Sequence, residues 1–286
     1  MQEPAVVVDS LVMTYGDKQA VRGLSLTVET GTITAVLGPN GAGKTTTLET
    51  CEGYRRPHGG RVRVLGLDPT TQRSALLPRI GVMLQGQGAW SGVRALEMLR
   101  HVARLHAHPL DVDLLADRLG LHECGRTPYR RLSGGQQQRL GLAMAIVGRP
   151  ELVFVDEPTA GMDPLARRTT WELLSELRAD GVTVVLTTHY LEEAEALADH
   201  VHIINHGRLI ASGTPEELTR GTSATVRLTV DRELSDVAEK DLRSALADWG
   251  ARQGVGIKSM TFGSRTLEDV FLEVTGRPMG EEVSGE

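Results

Sequence analysis

Two runs in this chain combine residue types and spacings suited to handling a phosphate. The first is Gly38-Pro39-Asn40-Gly41-Ala42-Gly43-Lys44-Thr45, followed by Thr46. Its glycines let consecutive backbone N–H groups converge on phosphate oxygens without side-chain clash. A helix that follows such a loop aims its positive dipole end at the same anion. Lys44 is then placed to reach β- and γ-phosphates, and the Thr45 hydroxyl to bind Mg²⁺. The second run is Leu152-Val153-Phe154-Val155-Asp156-Glu157. It reads as a buried strand that delivers two acids to its carboxyl end, where open α/β sheets bind ligands. Asp156 suits a magnesium site, and Glu157 suits the orientation or deprotonation of an attacking water.

Between these runs lies Leu132-Ser133-Gly134-Gly135-Gln136, a second anion-binding helix start that a single-site nucleotide enzyme would not need. His189 follows the apolar run Val184–Thr188 in the next strand unit and is expected at the same edge, able to hydrogen-bond a γ-phosphate and sense its loss. Gln85 follows Ile80–Leu84 and is the candidate to reach Mg²⁺ or the attacking water, with Gln87 as a nearby competitor. Tyr15, before Gly16, is the candidate to stack on adenine; the alternative is a half-buried strand residue. His58, His101, His106, His108, His122, His200, His202 and His206 have no comparable placement and read as surface or packing residues.

Strands must present these groups. Val6–Val8, Leu11–Met13 and Leu24–Val28 read as short strands with turns at Gly16-Asp17 and Thr30-Gly31. Ile33–Leu37 reads as the buried strand feeding the phosphate loop; Arg61–Leu65 and Ile80–Leu84 read as further strands. From Val93 to Val147 the period becomes helical, through Leu96, Leu99, Val102, Ala103 and His106, then Leu114, Leu115 and Leu119, then a helix from Ser133. Strands return at Leu152–Val155, Val182–Thr187 and Val201–Ile204, with a helix around Trp171–Leu177. The fold class that follows is α/β: a phosphate-loop NTPase core with an N-terminal antiparallel β subdomain, a helical insert over about 87–150, and a small α+β C-terminal appendage. The domain division places a nucleotide-binding domain at 1–220, an accessory domain at 221–276 and a polar, acidic, disordered tail at 277–286. Within the appendage, Thr225–Val230 reads as a strand, Val237–Trp249 as an amphipathic helix, and Thr266–Val274 as a capped helix with Leu267, Val270, Phe271 and Val274 on one face.

Composition bounds the setting. The chain has 286 residues, 40% of them hydrophobic, and a net charge of −6, which argues against a general nucleic-acid surface. No apolar run approaches the roughly 18 residues of a membrane span. The Met1-Gln2-Glu3-Pro4 start lacks the basic flank and apolar core of a signal peptide, so a cytoplasmic location is expected, with any membrane role exerted through a partner. Cys51 and Cys124 make no metal spacing and read as reduced thiols.

Taken together, these motifs in this order resemble the ATP-binding subunits of ABC transporters, over about Val6 to Leu218. Gly38–Thr45 matches that family's Walker A, Gln85 its Q-loop, Leu132–Gln136 its signature, Asp156 its Walker B aspartate and Glu157 its catalytic glutamate. Ala160-Gly161-Met162-Asp163 matches its D-loop and His189 its switch histidine. The resemblance implies a head-to-tail homodimer, or a pairing with another ABC subunit, that encloses two ATP with Mg²⁺. Ser133 and Gly135 of one chain would contact the γ-phosphate held by Lys44 of the other. The Gly161–Pro164 and Thr187–Ala194 runs and the Thr266–Gly276 segment look like drug-resistance-type exporters, whose separate membrane permease is of the ABC-2 type. This implies a peripheral position at the cytoplasmic face of the cell membrane. The permease's cytoplasmic helix would dock near Gln87–Arg94, with Trp90 either an exposed anchor or a buried or incidental residue. Met162 stands where many relatives carry leucine, and Gly86–Ser91 is unusually glycine-rich. The competing reading is a non-transport ABC ATPase acting on nucleic acid or ribosomes, but such proteins usually carry coiled-coil or zinc insertions or tandem cassettes, which are lacking here. A phosphate-loop kinase or GTPase leaves Ser133–Gln136 unexplained.

Overall fold

Two sheets and the helices around them position the motifs. The computed structural model describes residues 3–83, 90–219, 244–245, 248–249, 252 and 267–275. The chain begins with β1 (Val6–Tyr15), β2 (Lys18–Val28), β3 (Ile33–Leu37), α1 (Lys44–Cys51), β4 (Gly59–Val64), α2 (Arg73–Leu76) and β5 (Ile80–Met83). The helical insert follows with α3 (Ala95–Ala103), α4 (Val112–Arg118) and α5 (Gly134–Ile146). The core then resumes with β6 (Leu152–Asp156), α6 (Pro164–Ala179), β7 (Thr183–Thr188), α7 (Leu191–Leu197), β8 (His200–Asn205), β9 (Arg208–Gly213), α8 (Pro215–Thr219) and α9 (Leu267–Thr275).

The smaller sheet is antiparallel in the order β2-β1-β4. Val6–Val8 and Leu11–Met13 are expected as separate strands but form one, bent by a bulge at Ser10, which takes φ 51°. The larger sheet has six strands in the order β5-β6-β7-β3-β8-β9, all parallel except β9. Every residue of β3, β6 and β7 is buried, as expected for parallel strands covered on both faces. β9 escapes the sequence reading because it is a half-exposed edge strand with weak alternation.

Apolar residues of α3 recur as Ala95, Met98, Leu99 and Ala103, and this face packs into the main core with Leu140 and Ala143 of α5. Asp111 caps α4, its carboxylate accepting from the Asp113 and Leu114 amides at 2.9 and 3.0 Å. In α9, Leu267, Val270 and Phe271 are buried in that same core, and the Leu267 amide donates to Glu195 of α7 at 2.5 Å. The expected strand at Thr225–Val230 lies outside the described residues, as does most of the expected helix at Val237–Trp249, whose described positions are helical.

A polar chain stitches the two sheets. The His202 Nε2–H donates to the Thr27 carbonyl at 2.9 Å, its Nδ1 accepts from the Ser212 hydroxyl at 3.0 Å, and Ser212 lies 2.8 Å from His200 Nε2. His202 is therefore a packing residue, as its sequence context suggests. Burial, opposed by the bond to Thr27 and aided by His200, lowers its pKa from 6.5 to about 4. The unfolded chain binds this proton more readily, so stability from His202 is complete above pH 6.5 and is lost as the pH falls toward 4. The full loss is about 3 kcal/mol. Melting temperature should fall between pH 7 and 4.5, and the fall should shrink in His202→Gln; an equal fall in both proteins would place the effect elsewhere.

Candidate functional site

Parallel register brings the chemistry to one edge. Asp156 at the end of β6 pairs with Thr187 of β7, and Leu37 at the end of β3 pairs with Thr188. The residues that follow these ends are Glu157, His189 and the phosphate loop, so three segments expected to act together emerge side by side. β5 ends beside β6, with Met83 opposite Val155. Gln85 and Gln87 follow it and lie outside the described residues.

The phosphate loop turns into α1 at Gly43, which takes φ 102° as the helix N-cap. A side chain there would be strained and would stand 2.8 Å from the Ala20 carbonyl oxygen, so only glycine fits. The loop is also pinned from the β8–β9 turn: the Gly207 amide donates to the Ala42 carbonyl at 2.9 Å, while the Gly207 carbonyl accepts from the Arg22 amide at 2.8 Å. Lys44 is buried, its ammonium donating to the Gly38 carbonyl at 2.6 Å and the Pro39 carbonyl at 3.3 Å. Burial lowers its pKa, with Glu157 and Asp156 acting in the opposite direction. Asn40 and Gly41 are exposed at the loop tip, and Thr46 continues α1, its carbonyl accepting from the Thr50 hydroxyl at 2.7 Å.

Asp156 is where two side-chain hydroxyls converge on one carboxylate. Its Oδ2 accepts from the Thr45 hydroxyl at 3.2 Å, and its Oδ1 accepts from the Thr187 hydroxyl. Burial raises its pKa, partly offset by the hydrogen bonds from Thr187 and Thr45. A hydroxyl and a carboxylate meeting in this way form a hard-oxygen donor set that fits Mg²⁺. One residue on, Glu157 takes φ 50°, the left-handed region that costs a non-glycine residue. The turn is held because its amide donates to the Thr187 carbonyl at 3.0 Å. Here Glu157 Oε1 lies 3.1 Å from His189 Nδ1. The histidine ring in turn stacks on Tyr190, with centroids 4.1 Å apart.

The second helix start is built by a capping box. Ser133 Oγ accepts from the Gln136 amide at 3.3 Å, and Gln136 Oε1 accepts from the Ser133 amide at 2.9 Å. The Gln136 side chain thus caps the Ser133 amide, and the S-x-x-Q spacing carries the signal for that role. Gly134 and Gly135 are the first two residues of α5, so their N–H groups have no carbonyl acceptor within the helix. Among the described residues no hydrogen bond or ion pair joins Ser133–Gln136 to the phosphate loop. Asp163 caps α6, accepting from the Leu165 and Ala166 amides at 3.0 Å each. Those bonds hold its carboxyl below the usual range.

Tyr15 is 40% exposed at the end of β1, and the Arg55 guanidinium lies 5.2 Å from its ring centroid, so one face already carries a cation. Trp90 is 53% exposed and meets His101 edge-on at 5.0 Å, which removes the buried reading. Met162 is buried, its sulfur accepting from the Thr170 hydroxyl at 3.4 Å. Three residues that sequence reasoning passes over support the site: Thr187, which braces both acids; Glu193, buried behind the histidine turn; and Glu52, at the end of α1. Burial, with Asp156 and Glu49, pushes the Glu52 carboxyl up to about 8, which favours its protonated form at neutral pH. An acid two turns along a helix led by a phosphate loop was the available signal for Glu52.

Known proteins share this arrangement. The family model for the ABC transporter matches residues 21–160. The daunorubicin resistance ATP-binding protein DrrA3 of Streptomyces coeruleorubidus is 36% identical, over 96% of this chain and 97% of its own length. The Nod factor export ATP-binding protein I of Sinorhizobium fredii is 36% identical, over 96% of this chain and 80% of its own. Among solved structures, the ATP binding subunit of an ABC transporter superposes with a TM-score of 0.69 at 26% identity, covering 76% of this chain and 92% of that one. With its phosphate loop, paired strand-end acids and capped serine-glycine-glycine helix, the chain belongs to the ABC transporter family as an exporter-type ATP-binding subunit that hydrolyses ATP.

Proposed function

We propose that two copies of this chain, or this chain and a paired ABC subunit, close head-to-tail over two ATP and drive export through a separate integral membrane permease of the ABC-2 type. The observation that carries the hydrolytic part is the Glu157–His189 pair, 3.1 Å apart, on the same strand edge as Lys44 and the Thr45–Asp156 bond. Thr45 and Asp156, with Gln85, would hold Mg²⁺, which neutralises charge on the phosphate oxygens when bound. Lys44 exchanges its loop carbonyls for the β- and γ-phosphate oxygens, with the N–H groups of Asn40, Gly41, Ala42 and Gly43, the Gly38-Pro39 backbone that shapes the loop, and the start of α1 at Thr45 and Thr46 around them. Tyr15 stacks on adenine with the ring face that Arg55 leaves open.

Glu157 orients the attacking water and takes its proton. His189, bonded to Glu157, also bonds the γ-phosphate and registers its departure. Ser133, Gly134 and Gly135, with Gln136 bracing the cap, offer the partner's γ-phosphate a helix start whose amides have no intrahelical acceptor. Asp163 lies in the segment next to Gly135 and belongs to that shared surface, since Gly135 packs against Gly161 and Met162. Loss of the γ-phosphate removes the bridge and releases the pair. The exporter names of its relatives support the direction of transport. No helix among the described residues is long and apolar enough to cross a membrane, which fits a peripheral subunit on the cytoplasmic face of the cell membrane that reaches the bilayer through its permease. On this reading 221–276 is an accessory domain, anchored on α7 by α9.

Glu157→Gln should keep ATP binding, lose hydrolysis by at least about a hundredfold, and elute as an ATP-trapped dimer; hydrolysis at the wild-type rate would remove Glu157 from the base role. Ser133→Arg should bind ATP but not hydrolyse it. Mixed in equal amounts with Lys44→Ala, it should recover about a quarter of wild-type activity, because half the dimers then contain one intact site. No recovery from two folded, pairing proteins would count against a site shared between chains. For the permease, a pull-down from solubilised native membranes should recover a multi-helix protein that raises the ATPase rate; recovery of ribosomal or DNA-bound partners alone would favour the non-transport alternative.

A further inference from the structure

Glu193 is an acid with no exposure to solvent, one turn into α7. A carboxyl group in such a place requires donors, because its desolvation is costly. Its Oε1 accepts from the Thr159 hydroxyl and from the Trp171 indole N–H, each at 3.0 Å. Thr159 stands two residues past Glu157. Trp171 lies on α6, the helix that Asp163 caps. The Thr188 hydroxyl stands beside the same carboxyl and accepts from the Tyr190 amide at 2.9 Å, closing the turn that carries His189. Burial raises the pKa of Glu193, and the Thr188, Trp171 and Thr159 donors and the Arg167 charge act against that rise. Arg167 in turn lies 4.6 Å over the Tyr190 ring that stacks on His189.

We propose that Glu193 is a positioning residue for hydrolysis, tying the segment after Glu157, the helix behind Asp163 and the turn bearing His189 into one unit that sets the Glu157–His189 bond. The inference rests on the reading of Glu157 and His189 as the hydrolytic pair. Its geometric content is that one carboxyl oxygen, carried on the helix that follows β7, accepts from two positions in the connection that follows β6, while the helix that carries it begins at the histidine turn. Cutting this link leaves both loops attached to their strands but free to shift relative to each other. Displacements of about 1 Å in such groups cost up to a hundredfold in rate.

Glu193→Ala removes the link, and Glu193→Gln keeps an oxygen acceptor of the same shape. In the full chain, Glu193→Ala should lower kcat for ATP by ten- to about a hundredfold while the Kd of a fluorescent ATP analogue stays within twofold. Glu193→Gln should restore kcat to within about threefold of wild type. A purely structural role would instead lower melting temperature and active fraction, with the remaining folded protein turning over normally and the glutamine variant giving no kinetic rescue; that outcome overturns the proposal. So does a folded Glu193→Ala with kcat within threefold of wild type. If Glu193→Ala does not fold, Thr159→Val and Trp171→Phe each delete one donor, and each should lower kcat without moving the nucleotide Kd; normal kcat in both overturns the proposal. Glu157→Gln run alongside separates the failures: if it hydrolyses normally, the hydrolytic pair and this proposal fall together, whereas an inactive Glu157→Gln beside a normal Glu193→Ala removes only the positioning role.

Discussion

The ladder that joins β6, β7 and β3 does more than close a sheet. Side chains alternate along a strand, so a slip of one residue between β6 and β7 would turn Asp156 from one face of the sheet to the other. The bond from Thr45, the brace from Thr187 and the left-handed turn at Glu157 all require the observed pairing of Asp156 with Thr187. On the other side of β7, the pairing with β3 places Thr188 level with Leu37, and so sets His189 beside the phosphate loop.

Electrostatics suit this edge to an anion together with a cation. Burial favours the neutral forms of both Lys44 and Asp156, lowering one pKa and raising the other. The fall at Lys44 is opposed by the charges of Glu157 and Asp156, and the rise at Asp156 by its bonds from Thr187 and Thr45 and then by Lys44, with Glu157 adding to the rise. A polyphosphate favours the charged form of the lysine, and a divalent ion favours the ionised aspartate. The Ser133 helix start differs in kind. It carries no buried charge, and its attraction for a phosphate comes from amides with no intrahelical acceptor and from the helix dipole.

Much of the site was legible because chemistry and secondary structure coincide in short runs. The phosphate loop sits between a strand and a helix as its residues require, and Asp156 follows four apolar residues that could only be a buried strand. His189 was readable for the same reason. Glu193 was not, because in Leu191-Glu192-Glu193-Ala194-Glu195 it is one of three acids, and only tertiary packing singles out the one facing inward. Thr187 was hidden inside a β-branched strand, where threonine is common for packing alone. The β1 bulge is set by a local backbone conformation at Ser10, and apolar patterning registers it only as a gap between two strands. The expectations for Gln85, for the strand at Thr225–Val230 and for much of the C-terminal appendage fall outside the described residues.

The turn between β8 and β9 supplies no candidate catalytic group, yet Gly207 bonds to Ala42 in the phosphate loop and to Arg22 in the antiparallel sheet. It takes φ 75°, and a side chain on it would stand 2.5 Å from the Ala20 carbonyl oxygen. Surface hairpins of this kind are usually where homologous chains vary in length and accept insertions. This one cannot lengthen without withdrawing the amide that holds Ala42, so its two-residue span is tied to the shape of the phosphate loop. A peptide tag or domain inserted at His206–Gly207 is therefore a poor choice for labelling this protein, although the hairpin is a surface turn.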